Sequence, residues 1–438
     1  MNKNLLIIEL NEFSVDLLEY SSKVLNLKNI KKLLKMESSE TISPEKKEHH
    51  GLDPWVQWVS IHTGVSHEFH KIDHLAETEK LRNPQIWEVL SEKGYSSGIW
   101  GLMNSKKNET ENCLFFLPDP WSFDEKAFPK KINNFLALPR YFAKNYISPS
   151  TERLIINTIR LLKFVFFDIN IFFLTKEILY SIYNLIKFVI LSPSESYQNT
   201  KASKYLNILY SLFDLFSARI FLLYKNKFNP NISILFLNSL AHAQHKAWKK
   251  NFLSKNIIFT LKTIDRILGM CFNQLDKKDS ILILNGLSQK NVDGADYFIY
   301  RQINPNKFIK KIGIKYVHLE QCMTNESHIF FENSYELGKA FNLLNSAEVN
   351  GKKLFHVEKD RNNDKKLFYQ LDFFNFLKED ATFSIKNKEF LFFKYFSILN
   401  RRTGAHTPYG KVFYNNIKIK KSLYNHEIFN EILNFFKK

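Results

Sequence analysis

Cysteine is scarce: Cys113, Cys271 and Cys322 are the only three in 438 residues. Their spacing forms no metal-binding pattern and an odd number cannot all pair, which fits a reducing compartment. Also lacking is any stretch of roughly 18 uncharged apolar residues, the length needed to cross a bilayer. The opening residues, Met-Asn-Lys-Asn-Leu-Leu-Ile-Ile-Glu-Leu, hold an apolar run too short for a secretory signal, and no small-residue cleavage site follows. The expectation is a cytoplasmic protein. No internal repeat is visible. Acidic residues are in deficit, 44 Asp and Glu against 62 Lys and Arg, a formal net charge of +18. A basic surface attracts phosphate-bearing partners: nucleic acid, anionic lipid or phosphorylated sugars. The lysines are spread along the chain rather than gathered in a stripe, and no nucleic-acid-binding module is recognisable, so nucleic acid is not expected. The same spread is what coding bias gives, since Lys, Asn, Ile and Phe are all abundant.

What is present argues for a large packed core. Hydrophobic residues make up 45% and aromatics 15%, with 41 Phe, against disorder. The length suits one large domain with insertions or two ordinary domains. Leu5 to Leu10, Ser97 to Leu102, Ile232 to Leu237 and Ser280 to Leu284 are short apolar runs that read as buried strands. Ile86 to Lys93, ended by Gly94, and Ile257 to Met270, with Ile257, Leu261, Ile264 and Leu268 on one face, read as helices. Strands alternating with helices predict an α/β fold whose mostly parallel sheet is covered on both faces. Ligands bind such sheets at the carboxyl ends of the strands, which directs attention to Asn11, Asn238 to His245, and Asn285 to Gln289. Residues 146–228 differ in kind: apolar residues dominate, with Lys163, Lys176 and Lys187 spaced among them. They read as an inserted helical bundle, a cap over the site; aromatic-rich helices carrying Lys also suit a membrane surface. The expected division is 1–145 and 229–300 as core, 301–375 as a polar second insertion, and 376–438 as the return to the core. Within that last piece, 386–398 read as a strand rejoining the sheet.

Residues 53–72, Asp-Pro-Trp-Val-Gln-Trp-Val-Ser-Ile-His-Thr-Gly-Val-Ser-His-Glu-Phe-His-Lys-Ile, are the most informative stretch. Asp53 can cap a helix, Pro54 can occupy its first turn, and Thr63-Gly64 can close it. Trp55, Trp58, Val59 and His62 then share a face. This block resembles the nucleophile helix of the alkaline phosphatase superfamily, in the branch of type I phosphodiesterases and nucleotide pyrophosphatases. Four further blocks follow the family's order: Leu5–Glu12; Ile86–Leu90 with Gly94-Tyr95 and Gly98–Gly101; Leu237–Trp248 with Thr263–Gly269 and Ile281–Ser288; and Gly404-Ala405-His406.

The resemblance implies an alkaline-phosphatase-like sheet with an inserted helical cap. It also implies two metal ions about 4 Å apart, yet most of the positions that would hold them have changed. Asn11 stands where the family has a metal-binding Asp, Pro54 where it has the nucleophile, Ala241 where it has an Asp, and Gly286-Leu287 where it has Asp-His. His245 and His406 remain. Two readings stay open. Either His242, His245 and His406 hold a single zinc or other divalent cation, as three imidazoles with one open position can, or they act without metal as acid, base or hydrogen-bond donors. Glu12 and Asp53 are the carboxylates near the same mouth and the expected catalytic partners. Asn11, Asn285, Arg401 and Arg402 are the expected substrate contacts, the arginines through bidentate hold on phosphate. His62 is expected in the core, and His49, His50 and His67 in loops. The leading expectation is a diverged transferase, metal-free, acting on a phosphorylated sugar, nucleotide-sugar or lipid-linked substrate in surface-glycan assembly at the inner membrane face. A single-metal phosphodiesterase or phosphatase, and a ligand-binding pseudoenzyme, are the alternatives.

Overall fold

The computed structural model describes residues 4–45, 52–145, 150–190, 201–322, 324–360 and 363–437. His49 and His50 lie outside them. The chain divides into two compact units, residues 1–291 with 404–438, and Val292–Thr403. The second unit is therefore wider than the expected 301–375 insertion.

The first unit runs β1 (Leu5–Leu10), α1 (Val15–Val24), α2 (Lys28–Leu34), β2 (Glu37–Ile42), α3 (Pro54–Thr63), α4 (His67–His70), α5 (Ile86–Glu92), β3 (Ser97–Leu102) and β4 (Cys113–Pro118). Four helices follow: α6 (Asn133–Asn145), α7 (Thr151–Lys163), α8 (Ile171–Ile190) and α9 (Lys201–Phe228). Then come β5 (Ile232–Leu237), α10 (Ser239–Ala247), α11 (Lys255–Phe272), β6 (Ser280–Leu284) and β7 (Ser288–Asn291). In the second unit lie β8 (Phe298–Gln302), α12 (Pro305–Lys311), β9 (His318–Gln321), β10 (Glu326–Phe330) and α13 (Ser334–Asn345). Short strands complete it: β11 (Ala347–Val349), β12 (Lys352–Lys353), β13 (Phe355–Lys359), β14 (Lys366–Leu371), β15 (Thr382–Ile385), β16 (Lys388–Leu391) and β17 (Phe396–Arg401). The first unit closes with β18 (Gly404–Thr407), β19 (Tyr409–Asn415), β20 (Ser422–Tyr424) and α14 (Ile428–Lys437).

Eight strands form the central sheet in the order β20-β2-β19-β6-β1-β5-β3-β4. The stretch from β6 to β4 is parallel, and β19 enters antiparallel between β6 and β2. The strands read as apolar runs because both faces are covered. Leu6, Ile8 and Leu10 of β1 point into one core with α9 and α11; Leu5 and Ile7 point into another with Trp58 of α3, Trp87 of α5 and Ile432 of α14. Side chains alternate along a strand, so each hexapeptide serves both layers. The expected α/β fold, with a mostly parallel sheet between helices, is what the chain adopts.

Helix α9 is long and apolar enough over Leu206–Phe228 to span a bilayer by length and composition, but 56% of that stretch is buried inside the protein. Leu215, Ala218, Phe221 and Tyr224 lie in the main core, and Ser217 takes a hydrogen bond from the Trp100 indole (2.7 Å). Such burial marks a core helix.

Just beyond β4, the buried Asp119 accepts a hydrogen bond from the Trp121 N–H (2.8 Å). Burial pushes its pKa from 3.8 up to about 7, against the opposing pull of that N–H and of Arg140. A carboxyl that holds its proton more tightly when folded costs stability as pH rises from about 4 to about 7. Asp119→Asn keeps the acceptor and removes the titration. It is expected to be more stable than the parent near pH 8, with the difference vanishing toward pH 4, as urea midpoints at the two pH values will show.

The second unit has its own core, with Tyr300, Phe308, Phe355, Phe383, Phe392 and Phe396 buried together. Its strands form two four-stranded antiparallel sheets, β13-β14-β10-β9 and β12-β11-β15-β16, plus the pair β17-β8. Residues 386–398 thus do not rejoin the central sheet: β16 pairs with β15 and β17 with β8. An apolar run names a strand but not its partner. The strand that does return is β19.

Candidate functional site

Strands β1, β5 and β6 lie side by side in register, so their carboxyl ends open on one place. Each is followed by an abrupt change of direction. After β1, Glu12 takes a left-handed backbone (φ 56°), a conformation that costs a β-substituted residue free energy and is kept where the surroundings impose it. Three contacts impose it: Glu12 N–H donates to the Asn285 carbonyl (3.0 Å), and its own carbonyl accepts from Gln244 Nε2 (2.8 Å), whose oxygen accepts from Ser14 N–H (3.0 Å). After β5, Asn238 leads into α10, which carries His245. After β6, the chain turns through Gly286 into β7, and β18 pairs with β7 so that His406 stands opposite Gln289.

These turns bring three side chains to one point. Glu12 Oε2 lies 2.9 Å from His245 Nε2 and 3.1 Å from His406 Nε2, and the two ring nitrogens are 3.2 Å apart. Gln289 Nε2 donates to the same carboxylate oxygen and to the Ala241 carbonyl. Asn11 Nδ2 donates to Glu12 Oε1 (3.0 Å), fixing the carboxylate plane. The Glu12 side chain is only 3% exposed. Burial alone would raise its pKa; the charges of His406 and His245 and their hydrogen bonds outweigh burial and hold it well below the usual carboxylate range.

The second nitrogen of each ring faces oxygen. His245 Nδ1 lies 3.0 Å from the Gly404 carbonyl, which can only accept, so Nδ1 carries hydrogen and Nε2 is the atom turned toward Glu12 and His406. Only glycine permits this approach, because a Cβ at 404 would stand 2.1 Å from Gln289 Oε1 and 2.8 Å from the Gln244 carbonyl. His406 Nδ1 lies 3.9 Å from Asp53 Oδ1. Asp53 stands at the N-cap position of α3 without a side-chain capping hydrogen bond, while Pro54 opens that helix and Gly64 closes it at φ 73°, as its sequence predicts.

One carboxylate and two imidazoles, the His245 ring held from behind by the Gly404 carbonyl and the His406 ring faced by Asp53 at 3.9 Å, form a donor set suited to a divalent cation, zinc above all. Zinc bonds of about 2.0–2.1 Å in tetrahedral geometry separate ligand atoms by about 3.3–3.4 Å. The observed 2.9, 3.1 and 3.2 Å fit with shifts of a few tenths of an ångström. Among the described residues, Glu12, His245 and His406 are the group of three that meets this spacing.

The third member of the cluster is thus Glu12 rather than the expected His242. His242 follows Asn238 by one helical turn, and its ring stacks on Tyr210 of α9 (4.2 Å between centroids, 12° between planes) instead of joining His245. Asn11 and Asn285, expected to meet substrate, are buried and engaged within the protein. Asn11 donates to Glu12 and Asn238 and accepts from the Trp58 indole (2.8 Å). Asn285 donates to the Phe13 carbonyl (2.8 Å) and accepts from Lys411 N–H (2.9 Å). They position the site's backbone and Glu12. Arg401 and Arg402 belong to the second unit. There Arg401 donates to the Ala295 carbonyl, and Arg402 N–H to that of Tyr297. His62 is buried against Glu9 (2.7 Å), and His67 opens α4 with an ion pair to Asp73 (2.7 Å). His70 accepts from Ile72 N–H and sits 3.1 Å from Ser60 Oγ; burial and the neighbouring His67 lower its pKa to about 3, so it is a neutral structural ring.

Gly286 has φ 69°, and a Cβ there would stand 3.1 Å from the Trp58 ring, whose N–H already binds Asn11. The indole therefore packs against both Asn11 and Gly286.

No family model matches the chain, and no curated protein sequence does. Among solved structures it is similar to phosphonoacetate hydrolase from Sinorhizobium meliloti 1021 in complex with phosphonoformate, at 10% identity and a TM-score of 0.46, covering 99% of this chain and 95% of that one. Murine ectonucleotide pyrophosphatase/phosphodiesterase 5 is similar at 9% identity and a TM-score of 0.47, with the same coverage. Its human counterpart is similar at 8% and 0.45. Both kinds of protein are alkaline phosphatase superfamily members. At such scores the likeness is one of overall layout.

Proposed function

We propose that the chain is a single-metal enzyme acting on a phosphate ester or anhydride, with Glu12, His245 and His406 as the metal ligands. The observation that carries this reading is the meeting of Glu12 Oε2 with two imidazole nitrogens whose far sides are already bonded or faced by oxygen. A divalent cation held by Glu12, His245 and His406 would supply Lewis-acid chemistry, making water a better nucleophile near neutral pH and polarising a phosphoryl oxygen.

The chain's own residues supply the rest. Glu12, fixed by Asn11 and Gln289, gives the cage its one formal negative charge. His245 is held in one tautomer by Gly404. Asp53 is the carboxylate at the mouth with solvent access, 26% exposed, and its Oδ1 is placed to orient the His406 ring from its Nδ1 side and to accept a proton directly at the mouth. Pro54 has no hydroxyl, so α3 offers no nucleophile at that position. Attack comes directly from water, giving a hydrolase, or from an acceptor hydroxyl, giving a transferase. The geometry favours the single-metal reading over the metal-free transferase in glycan assembly, because without a cation the three groups converge with nothing between them but protons.

Protein stripped with chelator and reloaded should hold one zinc per chain. It should hydrolyse an activated phosphodiester such as bis(4-nitrophenyl) phosphate, or transfer its phosphoryl group to an added sugar or polyprenol hydroxyl. A zinc content unchanged by His406→Ala would refute the site. Zinc uptake without turnover of any phosphoester would leave a binding protein instead of an enzyme.

A further inference from the structure

Away from this site, the α6–α9 region carries a surface that the proposed reaction does not use. Helix α7 has no buried residue along its 13 positions. Ile155, Ile159 and Leu162 recur at spacings of four and three, so they form one apolar stripe, and all are exposed. The chain then passes through a π-helical turn, Phe164–Ile169, into α8. At this corner Phe166, Phe167 and Phe172 stand in solvent, Phe167 at 85% and Phe172 at 82% exposure. Phenylalanines that open to water, in a chain that buries Trp58, Trp87 and Trp100 completely, mark a surface made to be covered.

Charge says what covers it. Arg153, Arg160 and Lys163 lie on α7 against the single acid Glu152. On α8, Lys176 and Lys187 are exposed, whereas Glu177, its one acid, is buried and paired with Arg219 and Arg266. Asp168 at the corner faces Lys131 (3.8 Å). Beside α7, between it and α6, lies a cavity of about 330 Å³ lined by Arg140, Lys144, Arg160, Asn133, Asn157 and Tyr141 among others, with no acidic residue in its wall. The Arg140 guanidinium is opposed electrostatically by Asp119, Glu125 and Asp124, outside that wall; its Nη2 donates to the Ser122 carbonyl, and its Nε is buried with no hydrogen-bond partner among the described residues. An apolar stripe with an aromatic corner, flanked by cations and a cationic recess, matches a layer of acyl chains under phosphate headgroups.

We infer that α7 and the Phe166–Phe172 corner dock in the plane of an anionic phospholipid bilayer, with a lipid phosphate seated in the Arg140–Lys144–Arg160 recess. Flotation of the full chain with vesicles tests this, using phosphatidylcholine alone and phosphatidylcholine with about one-third phosphatidylserine. Binding is expected on the anionic vesicles, weak on the neutral ones, and reduced by salt. Replacing Phe166, Phe167 and Phe172 together by Ser should weaken it at least tenfold without lowering the melting temperature, since all three are exposed. The pair Lys144→Glu and Arg160→Glu should abolish the preference for anionic lipid, while soluble inorganic phosphate should not release the protein from vesicles. Equal binding by the parent and the triple-Ser chain would overturn the inference. So would a dimer in solution that the triple-Ser change dissociates, which would make this face a contact between copies.

Discussion

Glu12→Gln is expected to lower zinc affinity by more than about 100-fold and to remove turnover with it. Loss of an outer partner of a metal ligand already costs about 10–100-fold, and here the ligand charge itself is deleted. Gln is nearly isosteric, so the pocket keeps its shape and the electrostatics alone change. In either orientation the amide NH2 faces a donor, Asn11 Nδ2 or Gln289 Nε2, each of which gives its hydrogen to the carboxylate in the native site. Competition titration with a chromogenic chelator measures the loss directly, and Glu12→Asp should recover part of it. The Glu12 carboxyl titrates well below its usual range in the folded metal-free chain, so its contribution to folding stability is present above the unfolded value near 4.5 and is lost as pH falls through the lower folded value. A Glu12→Gln chain that binds zinc like the parent would place the cation elsewhere or nowhere.

Much of this was open to reading before any coordinates. The strands at Leu5–Leu10, Ser97–Leu102, Ile232–Leu237 and Ser280–Leu284 match their apolar runs residue for residue, because a parallel strand buried on both faces must be apolar throughout. The Asp53–Gly64 helix follows from cap chemistry, which is local. Partnership is not local. Nothing in 386–398 reveals that its strands pair with 382–385 and 298–302, since β pairing is decided by distant residues. His242 and His245 look equivalent as ligands in one dimension; the Tyr210 ring, 32 residues before His242 in the chain, separates them. Glu12 was visible as a carboxylate near the mouth, but the left-handed turn that swings it onto the histidines depends on Asn285 and Gln244, and no signal in the sequence ties these together. Asn11 and Asn285 carried polar groups to the right place, and only the coordinates show those groups already engaged.

Trp58→Ala should produce the largest loss of stability of any single change near the site. The indole is wholly buried, so truncation costs about 3–5 kcal/mol through lost burial and the cavity left behind. The Asn11 side-chain Oδ1 then loses its indole donor inside the protein, which adds to the penalty. Trp58→Phe should fall between the two, keeping most of the volume but not the N–H. Urea denaturation gives the order parent, Phe, Ala. The same variants decide how many ions the site takes. Removing the indole opens space beside Gly286 and Asn11, where a second cation would sit in a two-metal relative. Space is not affinity: Asn11, Pro54, Gly286 and Leu287 offer no carboxylate, imidazole or hydroxyl. Zinc content in Trp58→Ala should therefore stay at or below one per chain, falling only as far as a looser Asn11 lets Glu12 drift. Two zinc ions per chain in that variant would mean that bulk, and not the missing ligands, had been keeping the second ion out.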